Sequence, residues 1–420
     1  MNLNRTLIKQ SLDDWNEVYL QIIQGFITRD VGPLPPKGSS ATLLGARRSG
    51  KTYQAVGMTR QLRPEAVLYY NFEDPLYYAH PDVENLDLLL SVAEEYRREP
   101  IDCLVLDEIQ NVDGWERWLR KLIALKRYHI IVTGSSAKLL SSELATALAG
   151  RTLADTVWPL SLEERLRFAG TSQAADRRRL AAEVRQCLTW GAFPEVVLEP
   201  DDQRRRRLLQ QYLSDIVLRD VITRHQIRNK RALDQILTYY LTNPSSPHSY
   251  TAVGRAFGIA TDTVADYTAA LQDAFCVFEV LRYHPNLKVQ ARDPRKVYIV
   301  DPGLRAVGAR SVEDDTGKLL ENLVYLELRR RGCEVSYYQG RQEVDFVVTE
   351  HYQPRAAIQV CAAGLDQPAT FRREVDALLE CLGALNLDRG VVVTLDEEQR
   401  LSEQGKSIEL VPARRWLLGA

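Results

Sequence analysis

Eight residues restrict what this chain can fold into more than any others. Gly45-Ala46-Arg47-Arg48-Ser49-Gly50-Lys51-Thr52 fits G-x-x-x-x-G-K-[ST] at every fixed position. An apolar run, Ala41-Thr42-Leu43-Leu44, precedes it, and the helix-compatible Tyr53-Gln54-Ala55-Val56 follows. Strand, glycine-rich loop and helix in that order turn successive backbone N–H groups toward one centre, with the positive end of the helix dipole behind them. A polyphosphate is the natural occupant: Lys51 contacts its β- and γ-oxygens as a point charge and the Thr52 hydroxyl holds Mg²⁺. The plain alternative is a glycine-rich turn before a surface helix.

A second run decides between them. Ile101-Asp102-Cys103-Leu104-Val105-Leu106 is almost continuously apolar and closes on Asp107-Glu108, as a buried parallel strand does. A carboxylate at the carboxyl end of a neighbouring strand can hold the metal and the next acid can orient an attacking water. Asp107 is therefore assigned to Mg²⁺ and Glu108 to the hydrolytic water. A further run, His129-Ile130-Ile131-Val132, ends in Thr133-Gly134-Ser135-Ser136, and Ser135, ahead of Thr133 and Ser136, is the expected sensor of the γ-phosphate or the attacking water; a polar turn is the competing reading. Ala66 to Phe72 reads as another core strand, and the stripe Trp115, Trp118, Leu119, Leu122 and Ile123 reads as core packing.

Composition narrows the rest. At 420 residues, and about 150 residues per domain, the chain holds two to four domains. A net charge of −2 leaves room only for local basic faces, and six scattered cysteines without a C-x-x-C pair read as reduced thiols. No apolar run nears the roughly 18 residues a membrane helix needs, so a cytoplasmic protein without a membrane partner is expected. Leu12, Trp15, Val18, Tyr19, Ile22 and Ile23 space an amphipathic N-terminal helix, a lid or brace for the nucleotide domain. Lys138 to Ala149 reads as a helix and Ala154 to Leu160 as a strand. Asp201-Asp202 suits a helix start ahead of Arg204 to Arg207, which span a full turn and cannot share one face.

Together, Gly45 to Thr52, Asp107-Glu108, Thr133 to Ser136 and the segment ending at Gly150-Arg151 resemble the AAA-type ATPases of bacteria and archaea, with Walker A and Walker B motifs. Looser matches continue through Trp158 to Glu164, Gly191-Ala192-Phe193-Pro194-Glu195 and Asp215 to Val221. The resemblance implies an α/β P-loop NTPase parallel sheet at 38–160, ATP and Mg²⁺ as ligands, a helical lid at 161–230, and a homo-oligomer in which Arg151 is an arginine finger. A helix-terminal cation is the equal alternative for Arg151.

Downstream, Leu233 to Tyr240, Tyr250 to Phe257 and Thr261 to Phe275 read as helices, the last capped by Thr261, followed by strands at Cys276 to Leu281 and Lys296 to Val300. That layout resembles a winged helix, at 231–310. Acids on its last helix (Asp262, Asp266, Asp273) repel phosphates, which favours a protein-docking or purely structural role over base readout in DNA. A helix holding Glu321, a strand with Val344-Asp345-Phe346 and a strand at Ala356 to Cys361 resemble the PD-(D/E)xK nuclease superfamily, giving a small restriction-endonuclease-like domain at 311–420. That resemblance implies acids at 345 and 359 and a lysine at 361, whereas this chain has Gln359 and Cys361. A neutral amide is a poor ligand for a hard cation, so loss of nuclease activity is expected. The function expected is Mg²⁺-dependent ATP hydrolysis driving a switch or remodelling a partner. Its rivals are an ATP-gated DNA-binding or processing protein with a vestigial nuclease domain, and a nucleotide-binding scaffold for a protein.

Overall fold

The computed structural model describes residues 4–78, 81–137, 150–171, 176–290, 292–310 and 315–419. Two compact units divide the chain, residues 1–157 and 158–420. The helix expected at Lys138 to Ala149 lies outside the described residues.

In the first unit, strands β1 (Ser40–Leu44), β2 (Val67–Asn71), β3 (Cys103–Asp107), β4 (His129–Gly134) and β5 (Thr152–Thr156) form one parallel sheet in the order β2-β3-β4-β1-β5. Every residue of β1 and β3 is buried, as expected of central strands covered on both faces. The expected strand at Ala154 to Leu160 is displaced toward the N-terminus. β5 ends at Thr156 because it pairs only along β1, Ser40 with Thr152 through Leu44 with Thr156, and its edge position leaves Leu153 exposed. On one face Trp115, Trp118, Leu119, Leu122 and Ile123, from the helix Trp115–Leu125, join Leu104, Leu106, Ile130 and Val132 in a core. On the other, helix α1 (Arg5–Gln24) sends Tyr19 and Ile22 against α2 (Lys51–Met58) and the same strands. The N-terminal helix is thus part of this unit and braces it, with Ser11 and Trp15 both donating to Asp74 at 2.7 Å.

The second unit starts with helices Leu162–Phe168, Arg177–Trp190 and Asp202–Asp215. Ser161 and Glu164 form a reciprocal cap on the first, and Asp201 caps the third by accepting the Arg204 N–H at 2.8 Å. The third continues as a π-helix over Ile216–Thr223. Helices Lys230–Thr242, Tyr250–Phe257 and Thr261–Asp273 then accompany a three-stranded sheet, β6 (Pro247–His248), β7 (Val277–Val280) and β8 (Arg295–Ile299), ordered β6-β8-β7. β6 is only two residues long.

Two expectations for the helix Thr261–Asp273 are corrected. Its N-cap is Ala260, without a side-chain bond, so Thr261 is already its first helical residue. Asp273 is buried against His225 Nε2 at 2.9 Å and presents no charge to solvent, whereas Asp262 and Asp266 do.

A six-stranded mixed sheet closes the chain: β9 (Glu334–Gln339), β10 (Glu343–Glu350), β11 (Gln353–Cys361), β12 (Arg389–Thr394), β13 (Gln399–Glu403) and β14 (Lys406–Pro412), in the order β13-β14-β12-β11-β10-β9. The helix Thr316–Arg330 packs against one part of it and Pro368–Ala384 against another.

Candidate active site

The phosphate loop joins the end of β1 to the start of α2. Gly45 and Gly50 both take positive φ, 153° and 97°. A Cβ on Gly45 would sit 2.3 Å from the Val157 carbonyl oxygen, so no larger residue fits there. Lys51 is buried, and its Nζ donates to the carbonyls of Gly45 and Ala46, each at 3.2 Å, with Glu108 Oε1 at 3.5 Å. The wholly buried Ser49 hydroxyl has no hydrogen-bond partner, and Arg29 braces the loop by donating to the Ser49 carbonyl at 2.7 Å.

β3 lies across from this loop and ends at Asp107. The Thr52 hydroxyl donates to Asp107 Oδ2 at 2.8 Å, as do Tyr69 at 2.9 Å and Asn71 at 3.3 Å, while Thr133 donates to Oδ1. Asp107 is fully buried; burial and the adjacent Glu108 charge push its carboxyl up from 3.8, against those hydrogen bonds. A group so placed gains from a nearby cation. Thr52 and Asp107 therefore fit Mg²⁺: a hydroxyl and a carboxylate, both oxygen donors of the kind a hard cation takes, lie 2.8 Å apart.

Glu108 follows with φ 54° and ψ 40°, a left-handed conformation that costs a non-glycine residue about 1–3 kcal/mol. That turn carries its carboxylate toward Lys51 instead of continuing the strand. Its amide donates to Thr133 Oγ1 at 3.1 Å and Gln110 Nε2 donates to its Oε2, so both ends of the residue are held.

Lys51, Thr52, Asp107 and Glu108 are thus brought together. Ser135 is buried just past Gly134, the β4 residue that pairs with Leu44 before the loop. The Thr133 hydroxyl also belongs to this group, donating to Asp107 Oδ1 and accepting the Glu108 backbone N–H at 3.1 Å. Tyr69, Asn71, Gln110 and Arg29 are the residues the linear reading missed, and Thr133 is one it set behind Ser135. For Asn71 and Thr133 a signal existed: they are polar residues at the ends of the apolar runs on either side of the run that closes on Asp107, and Asn71 pairs with Asp107 in the parallel register. Arg47 pairs with Glu73 at 2.9 Å, and Arg48 takes φ 69°. Arg151 is exposed and precedes β5, its carbonyl accepting the Ser40 N–H at 2.9 Å. It lies at the opposite end of β1 from Gly45, so within one chain it stays outside this site.

The C-terminal sheet holds the other constellation. Asp345 and Glu321 are buried, and Gln359 is occupied at both ends: its oxygen accepts the Asp345 N–H at 3.1 Å and its nitrogen donates to Glu374 at 2.6 Å. Burial and the Asp345 charge push Glu321 up to about 8. Burial likewise pushes the Cys361 thiol up to about 11, which leaves it neutral. Among the described residues, no helix is long and apolar enough to cross a membrane.

A family profile described as an AAA domain matches residues 37–166, and one described as a domain of unknown function (DUF8612) matches residues 181–314. An uncharacterized protein of Methanocaldococcus jannaschii is 30% identical over 413 residues, covering 93% of this chain and 91% of its own length. An uncharacterized protein of Haemophilus influenzae is 31% identical over 318 residues, 72% of this chain and 78% of that protein. Among solved structures, the Aeropyrum pernix ORC1 protein in complex with DNA aligns at 13% identity with a TM-score of 0.32, over 77% of this chain and 93% of its own. Likeness at that level carries no function across. The five-stranded parallel sheet, the loop that leaves β1 and the matched profile agree, and the chain belongs to the AAA-domain family that its uncharacterized archaeal and bacterial relatives represent.

Proposed function

We propose that this protein is a Mg²⁺-dependent ATPase whose cycle drives a conformational switch or remodels a partner. The observation that carries the reading is the Thr52–Asp107 hydrogen bond set beside the Lys51–Glu108 pair at 3.5 Å. All four groups of a hydrolytic centre meet at the carboxyl edge of one sheet.

When bound, Mg²⁺ would supply charge neutralisation on the phosphate oxygens, held by Thr52 and Asp107. Lys51 would exchange its loop carbonyls for β- and γ-phosphate oxygens, which frees Glu108 from its ion pair. Glu108, steadied by Gln110, would then orient the attacking water and accept its proton. Ser135 would lie within reach of the γ-phosphate. Arg151, remote from its own loop, suits a role at a neighbouring copy's γ-phosphate.

Within residues 158–420, the segment 231–310 is read as a winged helix, on its run of helices and its three-stranded sheet, and 311–420 as a nuclease-like fold without activity. Exposed Asp262 and Asp266 on the helix Thr261–Asp273 oppose contact with a phosphate backbone and favour a protein client. The four-arginine run is partly spent inside the protein. Arg205 donates to the Glu199 carbonyl at 2.6 Å and Arg206 to that of Ala306 at 3.1 Å.

Glu108→Gln tests the assignment. Turnover is expected to fall by about 10²–10⁴-fold while ATP binding persists; unchanged turnover would remove Glu108 as the base.

A further inference from the structure

Lys296 belongs to β8, yet its ammonium lies among the carboxylates of the C-terminal sheet. The side chain is 1% exposed, and Nζ stands 2.8 Å from Glu321 Oε1, 3.0 Å from Asp345 Oδ1 and 2.7 Å from Glu343 Oε1. An ammonium has three protons and no acceptor. With three carboxylate oxygens at 3.0 Å or closer, it has none left to direct at a water or a substrate.

The carboxylates are held for this arrangement. Tyr298 donates to Glu321 Oε1 at 2.7 Å and stacks on Tyr325 with ring centroids 4.3 Å apart. The Val360 N–H donates to Asp345 Oδ2 at 2.9 Å, leaving Oδ1 for Lys296. Three carboxyl groups share this one ammonium, and among the described residues no second lysine or arginine pairs with them. Three acids from two elements thus converge on a single cation position.

We propose that Glu321, Glu343 and Asp345 form a divalent-cation site that the chain's own Lys296 ammonium occupies, closing it to metal and opening it when the ammonium is removed. The contact joins β8 to the helix Thr316–Arg330 and to β10, so one side chain both fills the site and clasps three elements. It also gives a reason, independent of positions 359 and 361, for the expected loss of nuclease activity: the cation position is filled by a charge that cannot activate water. Among the described residues, no group of three or more Asp, Glu, His or Cys is arranged to hold a metal ion, which agrees with a site closed to metal.

The test titrates Mn²⁺ into the nucleotide-free full chain and reads bound metal by electron paramagnetic resonance and the unfolding midpoint by calorimetry. The parent protein is expected to show no Mn²⁺ binding that depends on Asp345. Lys296→Gln is expected to bind one Mn²⁺ and, at metal well above its Kd, to rise by about 5 °C in midpoint. Lys296→Gln combined with Asp345→Asn should lose both signals. A folded Lys296→Gln protein that binds no Mn²⁺, or a parent protein whose Mn²⁺ binding disappears in Asp345→Asn, would overturn the proposal. Should Lys296→Gln be insoluble, Mn²⁺ added during refolding must restore soluble protein, and failure to do so counts equally against it.

Discussion

At the scale of single residues, buried charge has been placed where another group can answer it. Asp301 shows the rule away from the phosphate loop. It is fully buried and accepts the N–H groups of Ala192 at 2.6 Å and Gly303 at 2.8 Å. Burial nevertheless raises its carboxyl from 3.8 to about 7, against those hydrogen bonds and the nearby Arg165. Its folded value thus exceeds its unfolded one. Between about pH 4 and pH 7 the native state keeps a proton that the unfolded chain has released, and stability falls as pH rises. The loss by pH 7 is of the order of 4 kcal/mol, at 1.36 kcal/mol per unit. Urea titrations of the whole chain at pH 4.5 and pH 7 should show this decline for residues 158–420, and Asp301→Asn should flatten it. An unaltered pH slope in that variant would assign the decline to other groups.

Elements depend on local signals, and most of those were legible. The stripe from Trp115 to Ile123 is buried along its whole length, as its spacing indicated. The capping box at Ser161 and Glu164 was a readable pattern too, with Ser161 Oγ accepting the Glu164 N–H at 3.1 Å and Glu164 Oε2 accepting the Ser161 N–H at 3.0 Å. Ser161→Ala should cost about 1 kcal/mol, measured as a lower urea midpoint with unchanged slope, because both donors at that end lose or loosen their partner. Elements were misplaced where pairing partners set the ends. β5 stops where β1 stops, and β6 exists only because β8 runs beside it. The π-helix at Ile216–Thr223 had no spacing signature separate from an α-helix.

For the molecule as a whole, the open matter is how many copies complete one site. Arg151 stands at the far end of β1 from the phosphate loop, so a catalytic role for it requires a second chain. Size measurement of Glu108→Gln with ATP and Mg²⁺ should show assembly that is absent without nucleotide. Arg151→Ala should then cut turnover by about 10³-fold or more while ATP affinity changes little. Constant monomeric size together with full activity of Arg151→Ala would leave the arginine as a helix-terminal or surface charge.

The sequence alone determined the chemistry of the phosphate loop and the order of its sheet-forming runs, because those depend on residues adjacent in the chain: two glycines, a lysine, a threonine, and apolar strands closed by acids. Tertiary structure alone decided which side chains complete the site. Thr133 and Asn71 reach Asp107 from the neighbouring strand ends, Tyr69 reaches it by the length of its side chain from two rungs away, and Arg29 reaches Ser49 from the segment after α1. It also decided the fate of the second carboxylate cluster. Glu321 and Asp345 could be picked out by their neighbours in sequence, but Lys296 lies 25 residues before one and 49 before the other. Electrostatic neutralisation acts through space, and only the folded chain brings that ammonium to the acids it answers.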